Sequence, residues 1–121
     1  MRSLGGGDET CNVAALEQTL NDYFVDSTHG GLRMPTMDTA YDIEQRRTVF
    51  LKRFKPEHHS VCCAHAARAT SAAPTYFEPA QTPLALQQHA LIDGGVFVFS
   101  PVVSAYAEAL KLFLNDAITV V

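Results

Sequence analysis

The sequence lacks the features that would assign it to a membrane or to an export route. None of its apolar runs approaches the roughly 18 consecutive residues that a membrane-spanning helix needs. The stretch from Met1 to Thr10 holds three glycines and two acids instead of the apolar core of a signal peptide. We therefore expect a cytoplasmic protein with no transmembrane segment.

An excess of positive charge is also missing. Lysine and arginine number 9 against 13 aspartates and glutamates, which gives a net charge of −4. Nucleic-acid phosphates require a basic surface, so we expect no nucleic-acid partner. The cysteines Cys11, Cys62 and Cys63 are an odd number with one adjacent pair, which favours reduced thiols over a disulfide framework.

What is present is the composition of a globular domain, with 47% hydrophobic and 18% charged residues. The glycines at positions 5–7 mark residues 1–11 as a flexible lead-in, and residues 12–121 form one folded unit. Apolar spacing and capping residues predict three helices. They run from about Asn12 to Phe24, from Val61 to Ser71 behind a Ser60 cap, and onward from Ser100-Pro101.

Short runs of β-branched, aromatic and other apolar residues predict four strands, and Pro79 to Pro83 is predicted to be a loop. A polar turn at residues 44–46 joins the first two strands as neighbours. The alternation of strands and helices predicts α/β layers with a largely parallel sheet. The four predicted strands are residues 39–43, 47–54, 90–92 and 117–121.

Asp93-Gly94-Gly95 is the sharpest local signal in the sequence. A carboxylate at the end of a strand is where α/β enzymes place catalytic groups, and two glycines allow a close approach. The ordinary alternative is the turn of a hairpin that returns through residues 96–99, because Asp-Gly is a common turn dipeptide. We expect Asp93 to end a strand on an exposed loop that leads to the helix opened by Pro101.

Three other clusters each carry an ordinary and a functional interpretation. The small residues 69–77 are typical of a tightly packed helix end, although Ser71 is a conceivable nucleophile. The basic residues are typical of a charged edge strand, with contact to lipid phosphates as the alternative. The possible metal ligands include two pairs at helical spacing but no C-x-x-C, so no zinc site is expected. The basic residues are Arg46, Arg47, Lys52, Arg53 and Lys55, and the possible ligands are Glu57, His58, His59, Cys62, Cys63 and His65.

Two segments taken together resemble the second half of a patatin-like phospholipase domain. They are residues 67–77, with the sequence ARATSAAPTYF, and residues 91–96, with the sequence LIDGGV. The helix opened by Pro101 and the pair formed by Tyr41-Asp42-Ile43-Glu44 and Val49-Phe50 are similar to further parts of that family. The resemblance covers roughly residues 16–121.

This resemblance implies a three-layer α/β/α fold and hydrolysis of acyl esters of phospholipids or related lipids. Patatin-like enzymes use a serine in Gly-x-Ser-x-Gly and an aspartate in Asp-Gly-Gly or Asp-Gly-Ala, without a histidine. By resemblance, Asp93 is the catalytic aspartate that activates the serine, and Gly94 and Gly95 complete its motif. The resemblance implies no metal and no other cofactor.

The sequence departs from the family pattern because Gly-x-Ser-x-Gly is absent from its 121 residues. Gly5-Gly6-Gly7 differs from the family's oxyanion loop, since Leu4 precedes it and Asp8 follows it. Phe99-Ser100-Pro101 stands where many relatives have Asn-Asn-Pro. We therefore expect an incomplete patatin-like fold without the front half, no nucleophile in this chain, and a complementing chain as the source of the serine.

Three functions from different classes remain open at this point. The first is part of a lipid acyl hydrolase, inactive alone and acting on phospholipid or another acyl-ester lipid. The second is a non-catalytic interaction module, derived from that domain, that binds a protein partner or touches a lipid surface. The third is a small metal-binding domain built on the His and Cys cluster.

Overall fold

The computed structural model describes residues 12–121 of this mixed α/β protein. The predicted lead-in at residues 1–11, with Gly5-Gly6-Gly7 and Cys11, lies outside the described residues. The described residues form three α-helices and four strands, and short 3₁₀ turns lie in three of the connections between them. In chain order they are α1 (Val13–Phe24), β1 (Met37–Asp42), β2 (Arg47–Lys52), α2 (Cys63–Thr70), β3 (Ala80–Leu84), β4 (Gln87–Asp93) and α3 (Val102–Leu112).

All four strands form one antiparallel sheet in the order β2-β1-β4-β3. The predicted hairpin of β1 and β2 is confirmed, with Ala40 opposite Val49. The expectation of a largely parallel sheet is wrong for the described residues. The reason lies in the connections, because β1–β2 and β3–β4 are each joined by a turn too short for a crossover.

One loop prediction, one further strand prediction and one helix-start prediction are wrong. Residues 79–83, predicted as a loop, contribute to β3, where Pro83 is tolerated because β3 is an edge strand. Residues 117–121, predicted as a strand, form none. The helix predicted to begin at Val61 behind Ser60 begins at Cys63, because Cys62 is held extended by a bridge to Thr28.

The core lies between the sheet and α2. Ala69 and Ala72, both 0% exposed, pack against Ala40, Ala80 and Leu91 of the sheet. Alanine side chains allow this close approach because they add almost no thickness to the helix. The side chains that alternate to the opposite face include Tyr41, which stacks on Phe97 with ring centroids 3.8 Å apart.

The first and last helices pack more loosely than α2, and neither contains a buried residue. The prediction of α1 is confirmed, and the Asn12 side chain caps it by accepting a 3.0 Å hydrogen bond from the Ala15 N–H. On α3, Glu108 reaches Lys52 of β2 at 2.9 Å. Within residues 12–121, no helix has the length and apolar character required to cross a bilayer.

Candidate functional site

Asp93 is the last residue of β4, an interior strand of the sheet. The chain then enters a 3₁₀ turn at Gly94–Val96, and residues 96–99 form no return strand. The expectation that Asp93 ends a strand and leads toward α3 is therefore confirmed, and the hairpin interpretation is wrong. The start of α3 is also close to the prediction, since the Ser100 hydroxyl accepts a 3.4 Å hydrogen bond from the Val102 N–H.

The Asp93 carboxylate is held by its own loop and stays partly exposed. Its Oδ1 accepts a 2.8 Å hydrogen bond from the Gly95 N–H, as an N-cap of the 3₁₀ turn. The Asp93 N–H donates to the Ala72 carbonyl at 3.0 Å, which fixes the backbone on the other side. The side chain is thus oriented at the strand end while remaining accessible.

The two positions after Asp93 favour glycine for different physical reasons. A Cβ added to Gly94 would lie 2.5 Å from Thr39 Oγ1 and 2.6 Å from the Thr39 carbonyl carbon, so only glycine fits against β1. A Cβ added to Gly95 would lie 3.3 Å from Asp93 Oδ1 and would crowd the carboxylate. Gly94 therefore allows the turn to pack closely, and Gly95 leaves space beside the candidate catalytic group.

The structure brings the two motifs that carry the patatin resemblance into direct contact. The end of α2 lies against β1 and β4, where the Thr70 hydroxyl donates to the Thr39 carbonyl at 2.8 Å. The next turn supplies the Ala72 carbonyl that binds the Asp93 backbone. Residues 67–77 thus form the support on which the Asp93 loop is built.

Ser71 lies in the first of these motifs, but its hydroxyl is already engaged. It donates to the Ala67 carbonyl at 2.7 Å, one helical turn earlier. A hydroxyl bound to its own helix is a poor nucleophile without a nearby base to take its proton. The structure gives no support to Ser71 as an attacking group.

The predicted His and Cys cluster is dispersed rather than convergent. Burial lowers the pKa of His58, whose Nδ1 accepts a 3.0 Å hydrogen bond from the Lys52 N–H. Burial, with the neighbouring Cys62 and Asp38, raises the pKa of Cys63, so its thiol is protonated at neutral pH. Among residues 12–121, no group of three or more His, Cys, Asp or Glu side chains is arranged to hold a metal ion.

The basic residues on and after β2 are largely engaged with the protein itself. Lys52 pairs with Glu108 at 2.9 Å, and hydrogen bonds from Lys52 and Lys111 lower the pKa of that glutamate. The Arg53 Nε donates to the Leu32 carbonyl at 3.0 Å. Lys55 lies 3.7 Å from Glu57. These contacts have three separate partners and do not converge on one anion site.

Sequence reasoning missed two His-Asp pairs, of which one is buried and the other has a partly exposed aspartate. His89 Nδ1 lies 2.7 Å from Asp42 Oδ2, and His29 Nε2 lies 2.9 Å from Asp38 Oδ2. Burial alone would raise the pKa of Asp42, but hydrogen bonds from the Gln45 N–H, His89 and the Glu44 N–H outweigh it and lower that pKa. Asp42 and His89 meet only through sheet pairing, so no short motif could have signalled them.

The sequence matches no protein-family model and no curated protein.

Proposed function

We propose that this chain is the part of a patatin-like lipid acyl hydrolase that carries the catalytic aspartate, Asp93. The observation that supports this most is the contact between the two motifs of the resemblance. Residues 67–77 bind the backbone of the Asp93-Gly94-Gly95 loop through the Ala72 carbonyl. Two motifs that are unremarkable singly therefore form one structural unit around a partly exposed carboxylate.

In this proposal Asp93 is the general base of a Ser-Asp dyad. Its carboxylate takes the proton of a serine hydroxyl as the serine oxygen attacks the carbonyl carbon of an acyl ester. Protonated Asp93 then gives this proton to the alcohol oxygen as the ester C–O bond breaks and the alcohol leaves. Water attacks the acyl-enzyme next, with Asp93 taking its proton and returning it to the serine oxygen as the acid is released. The Gly95 N–H bond at 2.8 Å orients the carboxylate for this role.

The serine must come from outside these 121 residues, because they contain no Gly-x-Ser-x-Gly. The proposed fold is the three-layer α/β/α arrangement of the family in incomplete form. Contact of α2 with one sheet face, and the reach of Glu108 on α3 to Lys52 of β2, are compatible with it. The proposed substrate is a phospholipid or another acyl-ester lipid, at a cytoplasmic location with peripheral membrane contact.

A second candidate function is a non-catalytic module that binds a partner or a lipid surface. The observation in its favour is the apolar surface around α3, which contains no buried residue. Phe99 is 98% exposed and Leu114 is 81% exposed on either side of this helix. Exposed apolar side chains of this size are typical of a surface that contacts a partner or a lipid.

Complementation distinguishes the two functions. The chain alone should not hydrolyse p-nitrophenyl butyrate above the blank rate. A fusion that places a patatin-like segment with Gly-x-Ser-x-Gly ahead of residue 12 should hydrolyse it and react with a fluorophosphonate probe. A folded fusion that does neither would contradict the hydrolase proposal, and sedimentation of the chain with phosphatidylcholine vesicles would then test the surface module.

A further inference from the structure

The two edges of the sheet differ in whether proline interrupts them. The β3 edge contains Pro83, which has no N–H to offer to a further strand. The β2 edge spans Arg47–Lys52 and contains no proline. Its middle residues Thr48, Val49 and Phe50 are partly exposed and belong to the β-branched and aromatic types that favour strands. The β2 edge is therefore the one suited to pair with a further strand.

Two hydrogen bonds fix which backbone groups of β2 point away from the sheet. Backbone groups along an antiparallel strand point alternately to its two sides. The Arg53 N–H donates to the Thr36 carbonyl, on the β1 side, at 2.9 Å. One residue earlier, the Lys52 N–H points to the other side and donates to His58 Nδ1 at 3.0 Å. Even-numbered residues of β2 thus present their backbone N–H and C=O groups outward.

The outward groups in the middle of β2 belong to Thr48 and Phe50, whereas Val49 and Leu51 face β1. Within residues 12–121, no backbone hydrogen bond from another segment reaches these outward groups. His58 occupies the edge only at Lys52. Thr48 and Phe50 therefore offer donors and acceptors at the spacing that an added strand requires.

The charges around this edge restrict what can pair with it. Cations outnumber acids here, although the whole chain has a net charge of −4. A second copy of the chain is disfavoured, because two-fold pairing of β2 with itself would bring Arg47 of one copy close to Lys52 of the other. An acidic segment is attracted instead. The cations are Arg46, Arg47, Lys52, Arg53 and Lys55, and the acids beside them are Glu44, Glu57 and Glu108.

We infer that the outer edge of β2 binds an extended acidic segment of a partner protein, which joins the sheet as a further strand. The backbone of the segment exchanges hydrogen bonds with Thr48 and Phe50. Its acidic side chains lie near Arg46 and Arg47, which are both exposed. Asp93 takes no part in this binding.

An acetylated peptide in which valine and threonine alternate between terminal glutamates is the probe, added to the full chain labelled with ¹⁵N. In the free protein, the Thr48 and Phe50 amides should exchange rapidly with solvent, and the peptide should protect them. The Val49 and Leu51 amides face β1 and should be protected with and without peptide. The same peptide with its two central amides N-methylated, or with lysines in place of the glutamates, should bind at least tenfold more weakly.

Variants of β2 test the edge from the side of the protein. Thr48→Pro removes an outward N–H and no bond to β1, so it should fold normally and weaken peptide binding about tenfold. If Thr48→Pro fails to fold, Arg47→Gln keeps the test decisive, because it removes one exposed charge and should weaken binding several-fold at low salt. Gln81→Glu makes the same change in net charge on the exposed β3 edge and should leave binding unchanged.

Several results would overturn the inference. They are absence of saturable peptide binding, equal binding of the lysine peptide, and binding that leaves the Thr48 and Phe50 amides unprotected. Protection of these two amides in the free protein would also overturn it. Protection that increases with protein concentration would show that a second copy occupies the edge, and protection independent of concentration would show that the chain itself covers it.

Discussion

The helices α2 and α3 differ in side-chain size and in burial, since α2 is built mainly from alanine and α3 carries valine, tyrosine and leucine. The α2 helix buries Cys63, Ala64, Ala66, Arg68 and Ala69, whereas α3 contains no buried residue. The more apolar helix is therefore the less buried one, which shows that an apolar sequence predicts a helix without predicting how deeply it is buried. In our account α2 belongs to the core that supports Asp93, whereas α3 lies on the surface of the described part of the chain.

The largest expected effect separates these helices directly. Ala69→Leu would force extra methyl groups into a position that is 0% exposed between α2 and the sheet. Overpacking of this kind costs about 1–3 kcal/mol or more of the free energy of unfolding. Ala105→Leu on exposed α3 should change it by less than about 0.5 kcal/mol. Urea denaturation of both variants measures the difference, and equal losses would contradict the distinction between the helices.

The second effect concerns the loop that α2 supports. Gly94→Ala places a Cβ against Thr39, where the nearest atoms would be 2.5 and 2.6 Å away. The turn must shift, and we expect a loss of about 1–3 kcal/mol in the free energy of unfolding. Gly95→Ala is the matched control and should cost less, because its nearest contact is a side-chain oxygen at 3.3 Å. A Gly94→Ala variant as stable as the parent would show that the loop does not pack on β1.

The third effect is a loss of stability on acidification in two stages. The pKa of His58 is lower in the folded protein than in the unfolded chain. Its contribution to the free energy of unfolding is therefore complete above the unfolded pKa of about 6.5 and declines as the pH falls below that value. The pKa of Asp42 is also lower in the folded protein. Its contribution to the free energy of unfolding therefore declines at a lower pH, as the pH falls below the unfolded pKa of about 4. Denaturation between pH 8 and pH 3 checks both stages. His58→Gln should remove the first stage and Asp42→Asn the second, and unchanged profiles would contradict these assignments.

The smallest expected effect is a difference in thiol reactivity at the start of α2. Burial raises the pKa of Cys63, whereas Cys62 is partly exposed. Thiolate is the reactive form, so a disulfide reagent at pH 8 should modify Cys62 before Cys63. A Cys11→Ser background leaves these two thiols for mass spectrometric mapping. Faster reaction at Cys63 would show that the first turn of α2 opens readily.

Local signals were sufficient for the elements that form from neighbouring residues. The helix capped by Asn12 and the hairpin of β1 and β2 could be predicted because their stabilising contacts are close in sequence. The β3–β4 hairpin could not, since its turn begins at Ala85, which has a positive φ of 54° without being glycine or asparagine. The direction of the strands was also predicted wrongly, because it depends on which strands become neighbours in space.

The candidate site also has one part that neighbouring residues predict and another part that depends on distant contacts. Asp93 and its glycines could be located from sequence because the motif is contiguous and its backbone demands are local. The support of its backbone by the Ala72 carbonyl could not, since those residues meet only after α2 is placed on the sheet. The buried pair of Asp42 and His89 likewise depends on the register of β1 against β4.

The proposed role of Asp93 as a general base is tested most directly by one pair of variants. In a fusion that supplies Gly-x-Ser-x-Gly, Asp93→Asn should fold normally and lower kcat for p-nitrophenyl butyrate by about 10²–10⁴-fold, because the amide cannot accept the serine proton. Asp116→Asn, at an exposed position beyond α3, should leave kcat unchanged. An Asp93→Asn fusion with near-parental turnover would remove Asp93 from the mechanism.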